Sequence, residues 1–315
     1  MMTAFSIFVL VLLGTGFLTK YAPRLNLIDK PNERSSHLTP TPRGGGVIFV
    51  SVFLLSFILV TNHQVMLIPV LVGSFFIALL GLFDDFKNLS SRFRFACQWI
   101  LAIYVVTMFS VSGLVCLVMV VYLVWMSNLY NFMDGIDGIA AIEAISVSSV
   151  MSSIYFSLNL NDTAMILFYL AMCMTGFLFW NFPKAKIFMG DVGSCFLGFL
   201  FGGLSLSAIF IQPKVFAVWL IMLAVFITDA TLTLLIRIMQ RKPVFSAHRS
   251  HMYQKMAIRF NSHTQVSIAA AIINIGFLFP ISYAVINDGL SWYAGLIISY
   301  LTMLCLYIML YCEFL

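Results

Sequence analysis

Charge is scarce in this chain: Asp, Glu, Lys and Arg make up 9% of 315 residues, against a hydrophobic share of 62%. Soluble globular domains carry about a quarter charged residues, so that class is excluded, and the mean hydropathy of +1.02 indicates a polytopic α-helical membrane protein. Glycine-rich nucleotide motifs are missing too. No Walker A sequence and no Gly-x-Gly-x-x-Gly follows a strand, so nucleoside-triphosphatase and dinucleotide-binding folds are not indicated. The six cysteines have neither metal-type nor redox-type spacing and sit mostly inside apolar runs, where thiols pack as small hydrophobes. There is no internal repeat, low-complexity tract or soluble domain, and residues 1–315 read as one membrane domain.

What the chain does have is apolar runs of roughly 16 to 24 residues. They fall at 2–19, 46–61, 65–83, 94–110, 112–128, 137–158, 164–181, 193–211, 215–238, 266–286 and 291–312. The predicted fold class is an all-α polytopic membrane protein of about 11 transmembrane helices. The first run lacks a basic n-region and a small-residue cleavage site, and its first positive charge, Lys20, comes only after it. It reads as a retained helix rather than a signal peptide. Alternating the connections puts sixteen of the seventeen Lys and Arg on one side, with Lys214 alone on the other. Positive charge stays inside, so the N-terminus is expected to be periplasmic and the C-terminus cytoplasmic. The net charge of +5 then reflects topology, not nucleic-acid binding.

The few acids are not scattered. Asp29, Glu33, Asp84, Asp85, Asp134, Asp137 and Asp191 lie in or beside the cytoplasmic connections, whereas Asp162 and Asp288 face the far side and Glu313 is terminal. Only Glu143 and Asp229 fall well inside spans. Carboxylates near a bilayer cost at least about 2.5 kcal/mol each, so a set at helix ends calls for a chemical reason. Carboxylates together with bases on one face suit an anionic ligand held through a metal.

The stretch Asn128-x-x-Asn131-x-x-Asp134-Gly-x-Asp137-Gly is informative geometrically. Steps of three residues drift by about 60° around an α-helix, so four such side chains cannot aim at one point from a regular helix. A helix that ends near Gly135 and restarts near Gly138 can aim them together. A polar helix cap with a turn is the plainer reading, but caps rarely need four amides and acids in so short a stretch. Asp84 and Asp85 follow an apolar run directly, and their repulsion calls for cations such as Lys87, Arg92 and Arg94. Alone, this pair could be a solvated turn. Gly190-Asp191-Val192-Gly193-Ser194 precedes a span and offers helix N-terminal amides to phosphate, although Gly and Asp are also ordinary turn residues.

In the last long connection His251, Lys255 and Arg259 recur every four residues beside Met252, Met256 and Phe260. This pattern predicts a short amphipathic helix on the membrane surface with its cationic edge free, and His248 one turn earlier. Zinc is not indicated, because no third His or Cys lies close by. In loop 29–46, Pro31, Pro40 and Pro42 stiffen the chain around Arg43, and the following glycines would let backbone approach a ligand. A rigid juxtamembrane turn is the plainer alternative.

In this order and on these loops, the clusters resemble the polyprenyl-phosphate N-acetylhexosamine-1-phosphate transferases. That family includes the enzymes that start O-antigen, enterobacterial common antigen and teichoic-acid linkage synthesis, and the phospho-MurNAc-pentapeptide transferase of peptidoglycan. The likeness runs from about Asp29 to His251. Eleven spans with an outside N-terminus are similar to the UDP-GlcNAc-type branch. By this resemblance Asp84 and Asp85 match a DDxx(D/N/E) motif with Asn88 in its variable place. Asn131 and Asp191 match the Mg²⁺ ligands, with Mn²⁺ as a substitute. Phe188 matches the aromatic that stacks on uracil, and Asn181 a residue that helps recognise that base. His248 and His251 fall where the family places a His-rich loop near the sugar and phosphates. The His-Arg-Ser-His spelling resembles the O-antigen-initiating subgroup and leaves the sugar open. Asp229 stands where relatives usually carry Pro three residues earlier; here that residue is Phe226, and a structural role such as an interhelical hydrogen bond is expected of Asp229.

The resemblance implies a multi-pass protein of the bacterial inner membrane. It would take a UDP-N-acetylaminosugar and undecaprenyl phosphate, release UMP and leave a polyprenyl-diphosphate-sugar. Asp84, Asp85, Asp134, Asp137, His248 and His251 form the expected catalytic set. Asn128, Asn181, Phe188, Lys87, Arg94, Arg249 and Arg43 form the expected substrate-binding set. Either Asp84 or Asp85 would orient or deprotonate the lipid phosphate, with direct attack favoured over an aspartyl-phosphate intermediate. A homodimer stays open. The main rival is a transporter or lipid flippase, which would place its polar residues near the midplane in paired repeats.

Overall fold

The computed structural model describes residues 2–25, 27–29, 31, 39–58, 67–87, 89–243 and 248–314. Among these, all-α architecture holds throughout, apart from one pair of two-residue antiparallel strands, β1 (Ile28–Asp29) and β2 (Thr41–Pro42). The helices are α1 (Met2–Tyr21), α2 (Gly46–Phe57), α3 (Leu67–Lys87), α4 (Ser91–Thr107), α5 (Gly113–Met133), α6 (Ile139–Ser157) and α7 (Asn161–Asn181). They continue with α8 (Asp191–Ile209), α9 (Pro213–Met222), α10 (Ala224–Met239), α11 (Met252–Arg259), α12 (His263–Ile273), α13 (Phe279–Ile286) and α14 (Trp292–Cys312). Among the described residues, each predicted apolar run is occupied mainly by helix. Among the described residues eight helical stretches are long and apolar enough to cross a membrane, or nine if a bent pair counts as one span. Helix α2 has 12 residues and α4 has 17, which leaves both short of that length.

Helix α8 is the hub. It is buried along nearly its whole length, packed by α3 and α5, while α1, α14 and α4 turn large apolar side chains outward. With no hydrophobic force to separate protein from lipid, small residues allow such close helix packing. Gly81 of α3 shows why: a Cβ there would lie 2.4 Å from the Asp191 carbonyl oxygen, so only glycine lets the end of α3 meet the start of α8.

One expectation needs correction. The run 215–238 is not one straight span, because α9 and α10 meet at a 68° bend around Leu223. Met222, Leu223 and Ala224 at the bend are fully buried and include no Pro or Gly. The run 266–286 holds as one helical stretch, His263–Ile286, with a π-helical turn at Asn274–Leu278 inside it. There, buried Asn274 donates to Glu143 Oε2 at 2.5 Å, giving the carboxyl of α6 an interhelical partner.

Candidate active site

Helix α5 stops at Met133 and α6 starts at Ile139 after Gly138 at φ +79°, so the polar stretch does break where its spacing requires. The ends of α3 and α5 and the starts of α6 and α8 then share one edge of the bundle. Asp191 Oδ1 accepts from Asn131 Nδ2 at 2.9 Å, and the same amide reaches Ser194 Oγ at 2.9 Å. One Arg94 nitrogen contacts both Asp84 Oδ2 at 2.5 Å and Asp191 Oδ2 at 2.6 Å. Asp84 Oδ1 accepts from the Leu89 amide at 2.6 Å, which fixes the carboxylate plane.

The two adjacent acids divide their work. Asp84 faces this cluster. Asp85 is only 4% exposed, and its two oxygens accept from the backbone amides of Asp191 and Val192, each at 3.3 Å. It thus caps α8 from another helix, satisfying amides that the local cap residue, Gly190, cannot. Gly190 has φ +75°, and a Cβ there would fall 2.5 Å from Asp85 Oδ2, so this turn requires glycine twice over. Arg43 donates to the Asp85 carbonyl, which ties loop 39–45 to the same corner.

Asp134 follows α5 directly. Burial, and the neighbouring charges of Asp191, Asp85 and Asp137, push its carboxyl well above the usual range. The cluster offers oxygen donors. Among the described residues no three His, Cys, Asp or Glu side chains form a metal-binding group, so any ion would rest on few protein ligands. That is the demand of Mg²⁺, which takes one or two carboxylates and completes its shell with phosphate and water. Asp84 and Asp191 converge on a cationic nitrogen, and the side-chain amide of Asn131 bonds Asp191 Oδ1; carboxylate and amide groups that could hold such an ion stand together here.

A cavity of about 490 Å³ opens from this cluster between α4, α5 and α10. Its polar lining is Arg94, Asn128, Asn131, His248 and His251, and its apolar lining includes Phe95, Trp99, Val124, Trp125, Leu234 and Ile238. His248 and His251 stack at 5.0 Å between ring centroids, and His251 in turn lies 6.2 Å from Phe132. Burial, helped by nearby His251 and Arg237, lowers His248 to about 4.

Other expected residues sit elsewhere. Asn181 is buried, accepts from the Gly138 amide at 3.0 Å and donates to the Ile187 carbonyl at 2.9 Å, so its side chain braces two loops rather than facing open space. Asp137 turns to α12, with Oδ2 3.1 Å from His263 Nδ1. Asn128, by contrast, lines the cavity and donates to Gln98 Oε1 at 2.7 Å. Phe188 is half-buried, its amide on the Pro42 carbonyl at 2.8 Å, while Gly45 and Gly46 donate to the Phe188 and Met189 carbonyls. Lys87 is exposed at the end of α3, Arg249 is half-buried next to His248, and Asn88 lies outside the described residues. The cationic edge of α11 is not free: Lys255 sits 4.9 Å above the Tyr311 ring, and Arg259 pairs with Glu313 at 2.5 Å. Its buried face is Met252, Tyr253, Gln254 and Ala257, and Phe260 is exposed.

Gln98, Ser194, Tyr253 and His263 were missed by sequence reasoning. Gln98 had a signal, as a lone amide inside an apolar run, and Ser194 closes a motif already noted. Nothing in the spacing marks His263.

Comparison with known proteins agrees with this geometry. The model of glycosyl transferase family 4 matches residues 67–209, the stretch from α3 through α8 that carries the cluster. A Bacillus subtilis protein described as a probable undecaprenyl-phosphate N-acetylglucosaminyl 1-phosphate transferase is 30% identical over 307 residues, covering 91% of this chain and 85% of that protein. A decaprenyl-phosphate N-acetylglucosaminephosphotransferase of Mycobacterium leprae is 28% identical, with the same coverage of 91% and 85%. The undecaprenyl-phosphate alpha-N-acetylglucosaminyl 1-phosphate transferase of Thermotoga maritima is 27% identical over 58% of each chain. By that extent of similarity, and by the motifs it spans, this chain belongs to the polyprenyl-phosphate N-acetylhexosamine-1-phosphate transferase family.

Proposed function

We propose that this protein transfers an N-acetylaminosugar 1-phosphate from a UDP-sugar to polyprenyl phosphate, releasing UMP. The reading rests most on one observation: Arg94 and Asn131, two members of the Asp84–Arg94–Asp191–Asn131 cluster, line a cavity whose remaining walls are mostly apolar and aromatic. A lipid phosphate and a nucleotide diphosphate need such a junction of charge and hydrocarbon. The cavity, at about 490 Å³, takes a headgroup and the first isoprene units, while the rest of the chain runs into the bilayer. The lipid would pass along Phe95, Trp99 and Trp125.

In the reaction a lipid-phosphate oxygen attacks the β-phosphorus of the UDP-sugar, and the bond to UMP breaks with its electron pair leaving on UMP. Phosphoryl transfer of this kind is mainly positioning and charge neutralisation. Arg94 holds one phosphate, with His248 and His251 beside the other groups at the cavity mouth. Asp84 orients the lipid phosphate, since Asp85 is committed to the α8 backbone. Asp191 and Asn131 would hold Mg²⁺, which neutralises diphosphate charge and stabilises departing UMP. We further propose eleven membrane passages with a periplasmic N-terminus, a cytoplasmic C-terminus and the cluster on the cytoplasmic side of the bacterial inner membrane. The product would start O-antigen or another cell-envelope glycan.

Purified protein given undecaprenyl phosphate and a panel of UDP-GlcNAc, UDP-GalNAc and their 6-deoxy relatives tests the reading. One donor should give labelled lipid diphosphate and equimolar UMP, with EDTA abolishing turnover and Mg²⁺ restoring it. UDP-sugar-independent movement of lipid, with no UMP from any donor, would refute it.

A further inference from the structure

We infer that Asp229 is a positioning residue that acts through His251, holding its imidazole with Nδ1 inward and Nε2 toward the substrate cavity. The inference deepens the proposed reaction and rests on it for the identity of the substrate. Asp229 is 7% exposed, midway along α10, and makes no contact with the Asp84–Asp191 cluster. A carboxylate so placed is costly unless several donors meet it. Three donors do. Oδ1 accepts from the Met252 amide at 2.9 Å and from Thr233 Oγ1 at 3.0 Å, and Oδ2 accepts from the Tyr253 amide at 2.9 Å. His251 Nδ1, buried and with no hydrogen-bond partner among the described residues, lies 3.4 Å from Oδ1, within ion-pair distance of that carboxylate.

Two consequences follow from these contacts. The first-turn amides of α11 are satisfied by another helix, because His251, the local cap residue, makes no capping bond with its side chain. His251 is therefore spared capping and stacks between His248 and Phe132, as one of the polar side chains lining the cavity. Beside a carboxylate, Nδ1 keeps its proton, and Nε2 is left as the atom that meets a phosphate or sugar oxygen. A carboxylate behind an imidazole sets both tautomer and ring plane in this way. Tyr307 of α14 continues the chain, its hydroxyl 3.0 Å from Thr233 Oγ1. Tyr253 completes the dock by donating to the Phe132 carbonyl at 2.8 Å, next to Asn131.

Two measurements test this. ¹⁵N-histidine NMR of the full-length protein in detergent, with His251 assigned from His251→Gln, should show Nδ1 protonated and Nε2 not; the opposite tautomer overturns the inference whether or not the protein transfers sugar phosphate. In turnover assays Asp229→Asn should lower kcat by about 10- to 100-fold, the usual cost of removing a group that orients a functional ligand, with KM for the UDP-sugar nearly unchanged. The Asp229→Asn/His251→Ala double variant should then be no slower than His251→Ala alone. Losses that multiply, or wild-type kcat in Asp229→Asn, would overturn it. Failure of the unmodified protein to release UMP counts against the reaction, and the tautomer still decides the positioning role.

Discussion

At the residue scale, the neighbours Asp84 and Asp85 carry the most distinct roles. Asp84 shares Arg94 with Asp191, so Asp84→Asn and Asp191→Asn should each lower UMP release about a hundredfold or more, the range seen when a charge-stabilising contact is lost. Melting temperatures measured in parallel should change little for Asp84→Asn; activity near wild type would remove that residue from the mechanism. Asn181 should behave differently. Its two buried hydrogen bonds tie Gly138 to Ile187, so Asn181→Ala should cost about 1–3 kcal/mol of stability, visible as a lower melting temperature. A variant with normal melting and only weakened UDP binding would instead support the base-recognition role that the resemblance implies.

His248 gives a pH test with a definite sign. Its folded value of about 4 lies below the ordinary 6.5, so between these values the unfolded chain binds more protons than the folded one. Stability should therefore fall as pH drops from about 6.5 toward 4 and be unaffected by this group above about 7.5. Melting curves at pH 7.5 and 5 should show a smaller acid loss in His248→Gln; an equal loss would assign the acid sensitivity to other groups.

At the scale of elements, the break between α5 and α6 was legible because polar side chains at spacing three cannot share a target on an unbroken helix. The docking of α8 and α11 was not. Each has its first-turn amides capped by a carboxylate far away in sequence, Asp85 and Asp229, and the local residues Gly190 and His251 give no sign of it. The bend between α9 and α10 was equally hidden, since Met222, Leu223 and Ala224 at the bend include no Pro or Gly to mark it. The clasp of Lys255 and Arg259 on Tyr311 and Glu313 depends on where α14 ends in space, which a heptad-like stripe of bases cannot reveal. Gly190→Ala, which forces a side chain into a φ +75° turn against Asp85, should displace Asp191 and abolish turnover while α-helical content by circular dichroism is kept. Retained activity would mean that this turn does not set the geometry of Asp191.

At the scale of the whole molecule, the all-α membrane class and the positions of the apolar helices followed from composition and run length, because lipid leaves the backbone few alternatives to helix. The gathering of acids on one edge was also readable, since every second connection returns to the same side and those connections carry most of the acids. Which member of each motif faces the cavity was not readable, because that depends on helix rotation and on neighbours such as Gln98 and His263. The most direct measurement uses UDP-N-acetylglucosamine labelled with ³²P at the β-phosphate, with purified protein, Mg²⁺ and undecaprenyl phosphate. The account requires the label to pass into the lipid with one UMP released per lipid, in wild type but not in Asp191→Asn; label staying on the nucleotide for this and every other UDP-aminosugar, or equal transfer by both proteins, would contradict it.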